Sequence, residues 1–427
     1  LLLKIEKLVY GGDGLARLTA DDNGPGKAIF VPFVLEGEEV EAAVIEEKRG
    51  FARGRAEKVL VPSSKRAEPK CPYFGFCGGC HYQHISYEHQ LEIKAAILKE
   101  NLRRIAKLEL TTELIVHNSP PWNYRNRTRL QVQTSPEFAV GFYKLNSHEF
   151  LPVEECPISS PTINRAIAAT WEVGKRGSIA PGIEEIEFFA NAQDSQLLAE
   201  LYCSSELAEP GMRAASELRA AIPELAGAVI FMVAPKGSPD AKEIGRVGAG
   251  ELLWKTSHNS YRVSAGAFFQ VNRYLTDKLL QIVTDEPPGQ TALDLYAGSG
   301  LFSTVLSKQF AQVIAVESSP ISHSDLRYNS PPNVRVVRAM TDQFLKQKTV
   351  RADLVVVDPP RSGLGESVVR ELVGMAPRHM TYVSCDPATL SRDVYALLQG
   401  GYRVEQAHFI DLFPQTFHLE SVLKLVR

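Results

Sequence analysis

Cysteine is scarce in this 427-residue chain, six residues in all, too few to staple a fold of this length. That excludes a disulfide scaffold and points the thiols to metal binding or catalysis in a reducing cytoplasm. No apolar run reaches the ~18 residues that a membrane-spanning helix needs. Leu1 to Leu3 are followed at once by Lys4 and Glu6, too short for a signal-peptide core, so no membrane partner is expected. Charge of one sign is lacking too: 47 basic and 50 acidic residues leave a net charge of −3. At 44% hydrophobic and 23% charged, the composition is neither disordered nor collagen-like. The length suits two or three domains.

What charge there is lies unevenly. Residues 63–130 hold 11 basic and 6 acidic residues, a candidate footprint for a polyanion, although a solvated helix face explains it equally well. Residues 1–62 read as short strands at Val9-Tyr10, 28–34, 40–46 and 54–61. Glycines at 11, 12, 14, 24, 26, 37 and 50 mark the turns, the pattern of a small barrel. Pro62-Ser63-Ser64-Lys65 reads as a linker. Over 88–107 the spacing predicts a helix with Leu91, Ala95, Leu98, Leu102 and Ile105 on one stripe, and with Lys94, Lys99, Arg103, Arg104 and Lys107 largely off it. The run from Trp122 to Arg129 interleaves arginines with aromatics, which suits phosphate contacts and base stacking, or a solvated sheet edge.

From 291 onward apolar strands (291–297, 312–317, 334–339, 353–358, 380–385) alternate with helical stretches, the mark of a parallel α/β sheet. Strands at 404–410 and 421–426 are joined too tightly for a helical crossover and should pair antiparallel at one edge. The first strand closes on Asp294-Leu-Tyr296-Ala-Gly298-Ser-Gly300, where the glycines allow a tight turn and a close ligand. Glu317 ends the second strand and can accept hydrogen bonds from ribose hydroxyls. The third glycine of the dinucleotide fingerprint is missing, which favours a smaller adenosyl ligand. Tyr296 sits against that ligand or packs in the core. Asp358 and Cys385 end the fourth and fifth strands and should face the same crevice.

Cys71, Cys77 and Cys80 form C-x5-C-x2-C, and 75 residues lie between Cys80 and Cys156. Four thiolates suit zinc or an iron–sulfur cluster. The glycine spacers, whose N–H groups can approach sulfur, and the lack of a second short hook favour a cluster. Cys203 has no motif partner and is expected in the core.

These motifs together resemble the RNA (uracil-5-)-methyltransferase family, in its 23S ribosomal RNA branch with a TRAM domain and a [4Fe-4S] cluster. The resemblance rests on Cys71, Cys77, Cys80 and Cys156; on Phe268-Phe269-Gln270-Val271-Asn272; on residues 294–300; on Asp358-Pro-Pro-Arg361-Ser-Gly363; on Tyr382-Val383-Ser384-Cys385-Asp386-Pro387; and on Phe417-His418-Leu419-Glu420. Leu301 departs from it, since some members have an Asn there.

The resemblance implies an α/β fold: a Rossmann-like methyltransferase domain at 266–427, a TRAM barrel at 1–62, and an α+β iron–sulfur domain at 63–265 with an RNA surface. It implies S-adenosylmethionine, held by Gln270, Tyr296, Gly298, Gly300, Glu317 and Asp358. A folded RNA is the implied partner, 23S rRNA first and the tRNA T-loop second, for a monomeric cytoplasmic enzyme. Cys385 would add to C6 of uracil and Glu420 would remove the C5 proton, with Asp386 the next candidate base. A cluster protein whose α/β domain only binds nucleotide is the rival from another class; it would need neither Cys385 nor Glu420.

Overall fold

Alternating apolar residues curl the N-terminal strands around a small core. In the computed structural model, which describes residues 1–18, 26–204, 207–233, 241–347 and 350–427, β1 (Leu2–Lys4), β2 (Lys7–Leu8), β3 (Asp13–Arg17), β4 (Ala28–Pro32), β5 (Glu39–Glu47) and β6 (Phe51–Val61) form one sheet ordered β1-β5-β6-β4-β3-β2. Leu3, Ile29, Val31, Val40 and Ala52 are buried inside it, as a period of two dictates. Ile5 N donates to Glu38 O at 2.9 Å and Glu6 N to Leu15 O at 2.8 Å, which draws the two sides of the sheet together as a barrel. Val9-Tyr10, expected as strand, is instead the turn after β2. Gly11 and Gly12 take φ of +110° and +96°, and Val9 N donates to Asp13 O at 2.9 Å. Gly24, one of the expected turn glycines, lies outside the described residues.

Helix α1 (Tyr87–Arg104) and strand β7 (Leu114–His117) follow. Next, β8 (Arg127–Gln133), β9 (Ala139–Tyr143), β10 (Phe150–Pro152), β11 (Ile183–Ala190), β12 (Leu197–Cys203), β13 (Leu225–Met232) and β14 (Lys242–Gly248) build a seven-stranded sheet. Helices α2 (Pro161–Lys175) and α3 (Ala208–Ala221) cover one of its faces with Ile163, Ile167, Ala215 and Leu218. Cys203 is buried in that core, as expected. A hairpin, β15 (Glu251–Lys255) and β16 (Ser260–Ser264), carries Trp254 and Tyr261 into the core shared with the last sheet.

That last sheet follows the expected alternation: α4 (Thr276–Thr284), β17 (Gly289–Leu295), α5 (Ser303–Leu306), β18 (Phe310–Glu317), α6 (Pro320–Asn329), β19 (Val334–Arg338), α7 (Thr341–Gln347), β20 (Leu354–Val357), α8 (Gly365–Met375), β21 (His379–Ser384), α9 (Pro387–Gln399), β22 (Arg403–Ile410) and β23 (Glu420–Val426). Its order is β19-β18-β17-β20-β21-β23-β22-β7. The five strands from β17 to β21 are parallel, and β23 runs antiparallel to both β21 and β22. The last two strands pair antiparallel as expected, but they are not the edge. β7 adds beyond β22, because Leu114 and the apolar side of α1 join the same buried core as β21 and β23. Among the described residues no helix is long and apolar enough to cross a membrane.

Helix α1 forms where the stripe predicts, but its buried face is rotated. Gln90, Ile93, Lys94, Ile97, Leu98 and Leu102 are inside, and Ile105 is 40% exposed. Lys94, expected largely off the apolar stripe, is fully buried. Its ammonium donates to Asp411 Oδ1 at 2.7 Å and to Phe413 O at 2.9 Å, so an opposite charge from a distant loop decides which face of the helix turns inward.

Candidate active site

Parallel strands β17, β18, β20 and β21 end on one side of the sheet, and Tyr296, Glu317, Asp358 and Cys385, at or just after their ends, all lie on that side. The turn after β17 is tight. Tyr296 takes φ +64°, rare for so bulky a residue. Gly298 (φ +54°) has open space where a Cβ would stand, whereas a Cβ on Gly300 (φ +90°) would meet Leu326 at 2.8 Å. One glycine leaves room and the other permits close helix packing. Glu317 braces this turn, accepting from Gly298 N at 2.8 Å and Ser319 N at 2.6 Å. Gln270 lies in the segment after β16, where its carbonyl accepts from Asn126 Nδ2 at 2.9 Å. Phe268 beside it is 65% exposed.

Carboxyls dominate the deeper crevice. Asp294 is fully buried and accepts from Ser303 Oγ, while its Oδ1 has no partner. Burial pushes its carboxyl up to about 7. Burial, reinforced by Asp294, raises Asp358 to about 7 as well. Glu420, 5% exposed, is pushed well above the usual carboxylate range by burial and then by Asp358, with Arg361 opposing. Three carboxyls held this way favour a ligand with positive charge.

Cys385 follows β21 directly, and Asp386 caps helix α9 behind it, accepting from Ala388 N at 3.0 Å and Thr389 N at 2.9 Å. That cap occupies the Asp386 carboxylate. Burial, then the charges of Glu420, Asp358 and Asp386, push the Cys385 thiol up to about 12, and Arg361 works against them. The Arg361 guanidinium reaches the ring of His418 at 3.2 Å. Arg361, His418, Asp294 and Tyr10, whose hydroxyl donates to Cys385 O at 3.3 Å, were not singled out as site residues in the sequence. The first three lie inside or beside the quoted motifs, where their charge was the available signal. Tyr10 is 375 residues from Cys385 and carried none.

The loop leading to Glu420 is pinned by side chains from earlier in the chain. Lys94 holds Asp411, Asn272 Nδ2 donates to Leu412 O at 3.2 Å, Tyr124 OH to Pro414 O at 3.0 Å, and Gln90 Nε2 to Gln415 Oε1 at 3.0 Å. The N–H groups of His81 and Tyr82 both donate to Gln415 O at 2.9 Å.

Cys71, Cys77, Cys80 and Cys156 all line one cavity of about 210 Å³. Gly79 N donates to Cys77 Sγ at 3.4 Å, the glycine-to-sulfur approach expected from the spacers. Burial raises the thiols of Cys71, Cys77 and Cys80. Among the described residues, no three or more His, Cys, Asp or Glu side chains gather tightly enough for a single metal ion.

The arginine run is mostly spoken for. Arg127 pairs with Glu187 at 2.8 Å, and Arg129 with Glu187 at 2.7 Å and Glu185 at 3.1 Å. Both guanidiniums also lie over rings, those of Phe189 and Tyr202. The expected phosphate contacts are therefore not free at these two positions, because β11 supplies the counter-charges. Arg125 lines the cysteine cavity.

Comparison with known proteins matches residues 86–427 to the tRNA (uracil-5-)-methyltransferase family and residues 1–56 to the TRAM domain. An uncharacterized RNA methyltransferase of Aquifex aeolicus is 34% identical, covering 100% of this chain and 98% of its own. One from Thermotoga maritima is 30% identical, with 100% and 98% covered. The crystal structure of Pyrococcus abyssi tRNA (uracil-54, C5)-methyltransferase in complex with S-adenosyl-L-homocysteine shares the fold, with a TM-score of 0.77 over 100% of both chains at 23% identity.

Proposed function

Since the chain belongs to the tRNA (uracil-5-)-methyltransferase family, we propose that it methylates C5 of one uridine in 23S ribosomal RNA, using Cys385 as nucleophile and Glu420 as base. The observation that carries this reading is the meeting of that thiol and that carboxyl at adjacent strand ends, beside a glycine turn with open space at Gly298. C5 of uracil is a poor nucleophile. Addition of the Cys385 thiolate at C6 makes C5 an enolate carbon. Arg361, the cation nearest both groups, favours the thiolate and the enolate charge. Once C5 is methylated, Glu420 takes its proton, and the C5–C6 double bond re-forms as Cys385 leaves.

S-adenosylmethionine, the methyl donor of this reading, supplies an electrophilic methyl and a positive charge. In this reading Glu317 would take the ribose, Tyr296 and Gln270 would lie beside the adenosyl group, the open space at Gly298 would admit it while Gly300 keeps the following helix close, and Asp358, with buried Asp294 behind it, would face the cationic end. The target base has to leave its stack, which costs a few kcal/mol. The barrel and exposed Phe268 are the available surfaces to offset that.

The four-cysteine cavity supports a [4Fe-4S] cluster rather than one zinc ion, because glycine brings an N–H group to sulfur there and the second short hook of a zinc knuckle is missing. Cys71, Cys77, Cys80 and Cys156 would hold it, and it would cross-link the 71–80 segment to the segment at Cys156. The barrel and that cavity support ribosomal RNA. The likeness to the Pyrococcus abyssi tRNA enzyme favours the T-loop uridine of tRNA as the second reading. Mapping 5-methyluridine in 23S rRNA and tRNA from cells lacking the protein separates them: one site should lose its methyl group, and the RNA in which it lies decides the substrate. Loss in neither RNA overturns both readings.

A further inference from the structure

A second cavity, of about 410 Å³, opens where the barrel meets the loop before Glu420. Four distant parts of the chain wall it: the barrel, through the turn from 9 to 13 and through Phe30, Phe51 and Arg53; His81; Leu145 with Asn146; and Phe417. The turn is built to approach closely. A Cβ on Gly12 would stand 3.1 Å from His81 Cβ, and its φ of +96° already favours glycine. Tyr10 at the turn's tip packs edge-on against Phe417, with ring centroids 5.4 Å apart. Its hydroxyl reaches the carbonyl of Cys385 at 3.3 Å. The cavity thus begins beside the nucleophile, yet no candidate catalytic or cofactor residue lines it.

Its chemistry is specific. Phe30 and Phe51 meet edge-to-face at 5.8 Å, and both are only half-buried. Lys48 and Arg53 stand over the Phe51 ring at 5.5 and 6.0 Å. Asp13, paired with Arg53 at 3.2 Å, brings an acceptor to the wall. Half-buried aromatic faces, flanking cations and one carboxylate acceptor are what an unstacked base attached to a phosphate backbone requires. The volume lies in the range of roughly 300–1,000 Å³ usual for organic ligands.

We propose that this cavity binds an unpaired nucleobase flanking the target uridine in the RNA, stacked on the Phe51 ring with the Phe30 ring set across it, and with its exocyclic amine donating to Asp13. The proposal rests on the reading of the protein as an RNA methyltransferase. A base anchored here, contiguous with Cys385 through Tyr10, holds the backbone on one side of the flipped uridine and fixes the register in which that uridine meets the thiol.

The test uses the full-length protein and an RNA hairpin around the uridine found by 5-methyluridine mapping. Single abasic substitutions are walked through the nucleotides on either side of the target. Binding is read by fluorescence anisotropy and methylation by single-turnover assay. In the wild type, one flanking position should lose about 5- to 150-fold in affinity when its base is removed. In Phe51→Ala and in Phe51→Leu, which keeps apolar bulk without a π face, that one penalty should vanish while penalties elsewhere persist. Asp13→Asn should weaken discrimination for an amine-bearing base at the same position. Penalties unchanged at every position in a folded Phe51→Leu protein overturn the cavity proposal alone. A wild type that methylates no RNA overturns the wider reading, and this proposal with it.

Discussion

Cys385 and Glu420 face one another across two antiparallel strands. The β21–β23 ladder pairs Ser384 with Ser421, so one further step of register sets the residue after Ser384 against the residue before Ser421. On the other side of β23, Glu420 pairs with Ile410. Thirty-four residues of helix, strand and loop lie between thiol and carboxyl in sequence. The ladder fixes how the two side chains stand relative to one another.

The two groups should fail differently. Cys385→Ala should lower methylation by about 10⁴-fold or more while S-adenosylmethionine binding, read by calorimetry, stays near wild type. Glu420→Gln leaves addition and methyl transfer possible but stalls elimination. A covalent protein–RNA adduct carrying the methyl group should then appear as a retarded band on denaturing gels, and be absent from the double variant. Normal turnover by Glu420→Gln would assign the proton to another group.

The raised Cys385 thiol sets a pH dependence. With its pKa near 12 in the RNA-free protein, the thiolate fraction grows about tenfold for each pH unit between 7 and 10. Alkylation of Cys385 by iodoacetamide, followed by peptide mass spectrometry, should rise with that slope and show no plateau below about pH 11. Arg361→Ala removes the cation that lowers this pKa, so the rate at any given pH in that range should fall. A plateau near pH 8 would contradict the electrostatics of the crevice.

Lys94 and Asp411 form a fully buried ion pair at 2.7 Å. Lys94→Met leaves a buried carboxylate alone and should cost about 3–5 kcal/mol, read as a drop in denaturation midpoint. Lys94→Met with Asp411→Leu should recover most of that loss. Turnover should stay depressed in the double variant, because the bond from Lys94 to Phe413 O that steadies the loop before Glu420 is gone. Full recovery of both would make the pair purely structural.

Protein purified without oxygen should be brown, with about four iron and four sulfide per chain. Serine at Cys71, Cys77, Cys80 or Cys156 should bleach it. A colourless protein holding one zinc would replace the cluster reading.

Arg127 and Arg129 are neutralised by Glu185 and Glu187. Changing both to glutamine should leave the salt dependence of RNA binding nearly unchanged, since that slope counts phosphate contacts. The midpoint of thermal unfolding should fall instead. A slope that flattens by about two contacts would return these arginines to the RNA surface.

Local signals in the sequence determined much of this protein. Period-two and 3.6 patterning marked β4 to β6, α1 and the strands from β17 to β23, because alternation and helical spacing are set by side-chain geometry within a few residues. Glycine at 298 and 300 and an acid at 317 announced the ligand turn for the same reason. Only tertiary structure decided the rest. Lys94 is buried because Asp411, 317 residues away, compensates it. Arg127 and Arg129 are ion-paired because β11 lies beside β8 and brings carboxylates to them. β7 becomes the sheet edge because the core under α1 had apolar surface left to cover. Tyr10 reaches Cys385 only after the barrel has closed on His81. Each of these depends on a partner distant in sequence, and neither charge nor burial can be assigned to a residue until the chain has brought that partner within a few ångströms.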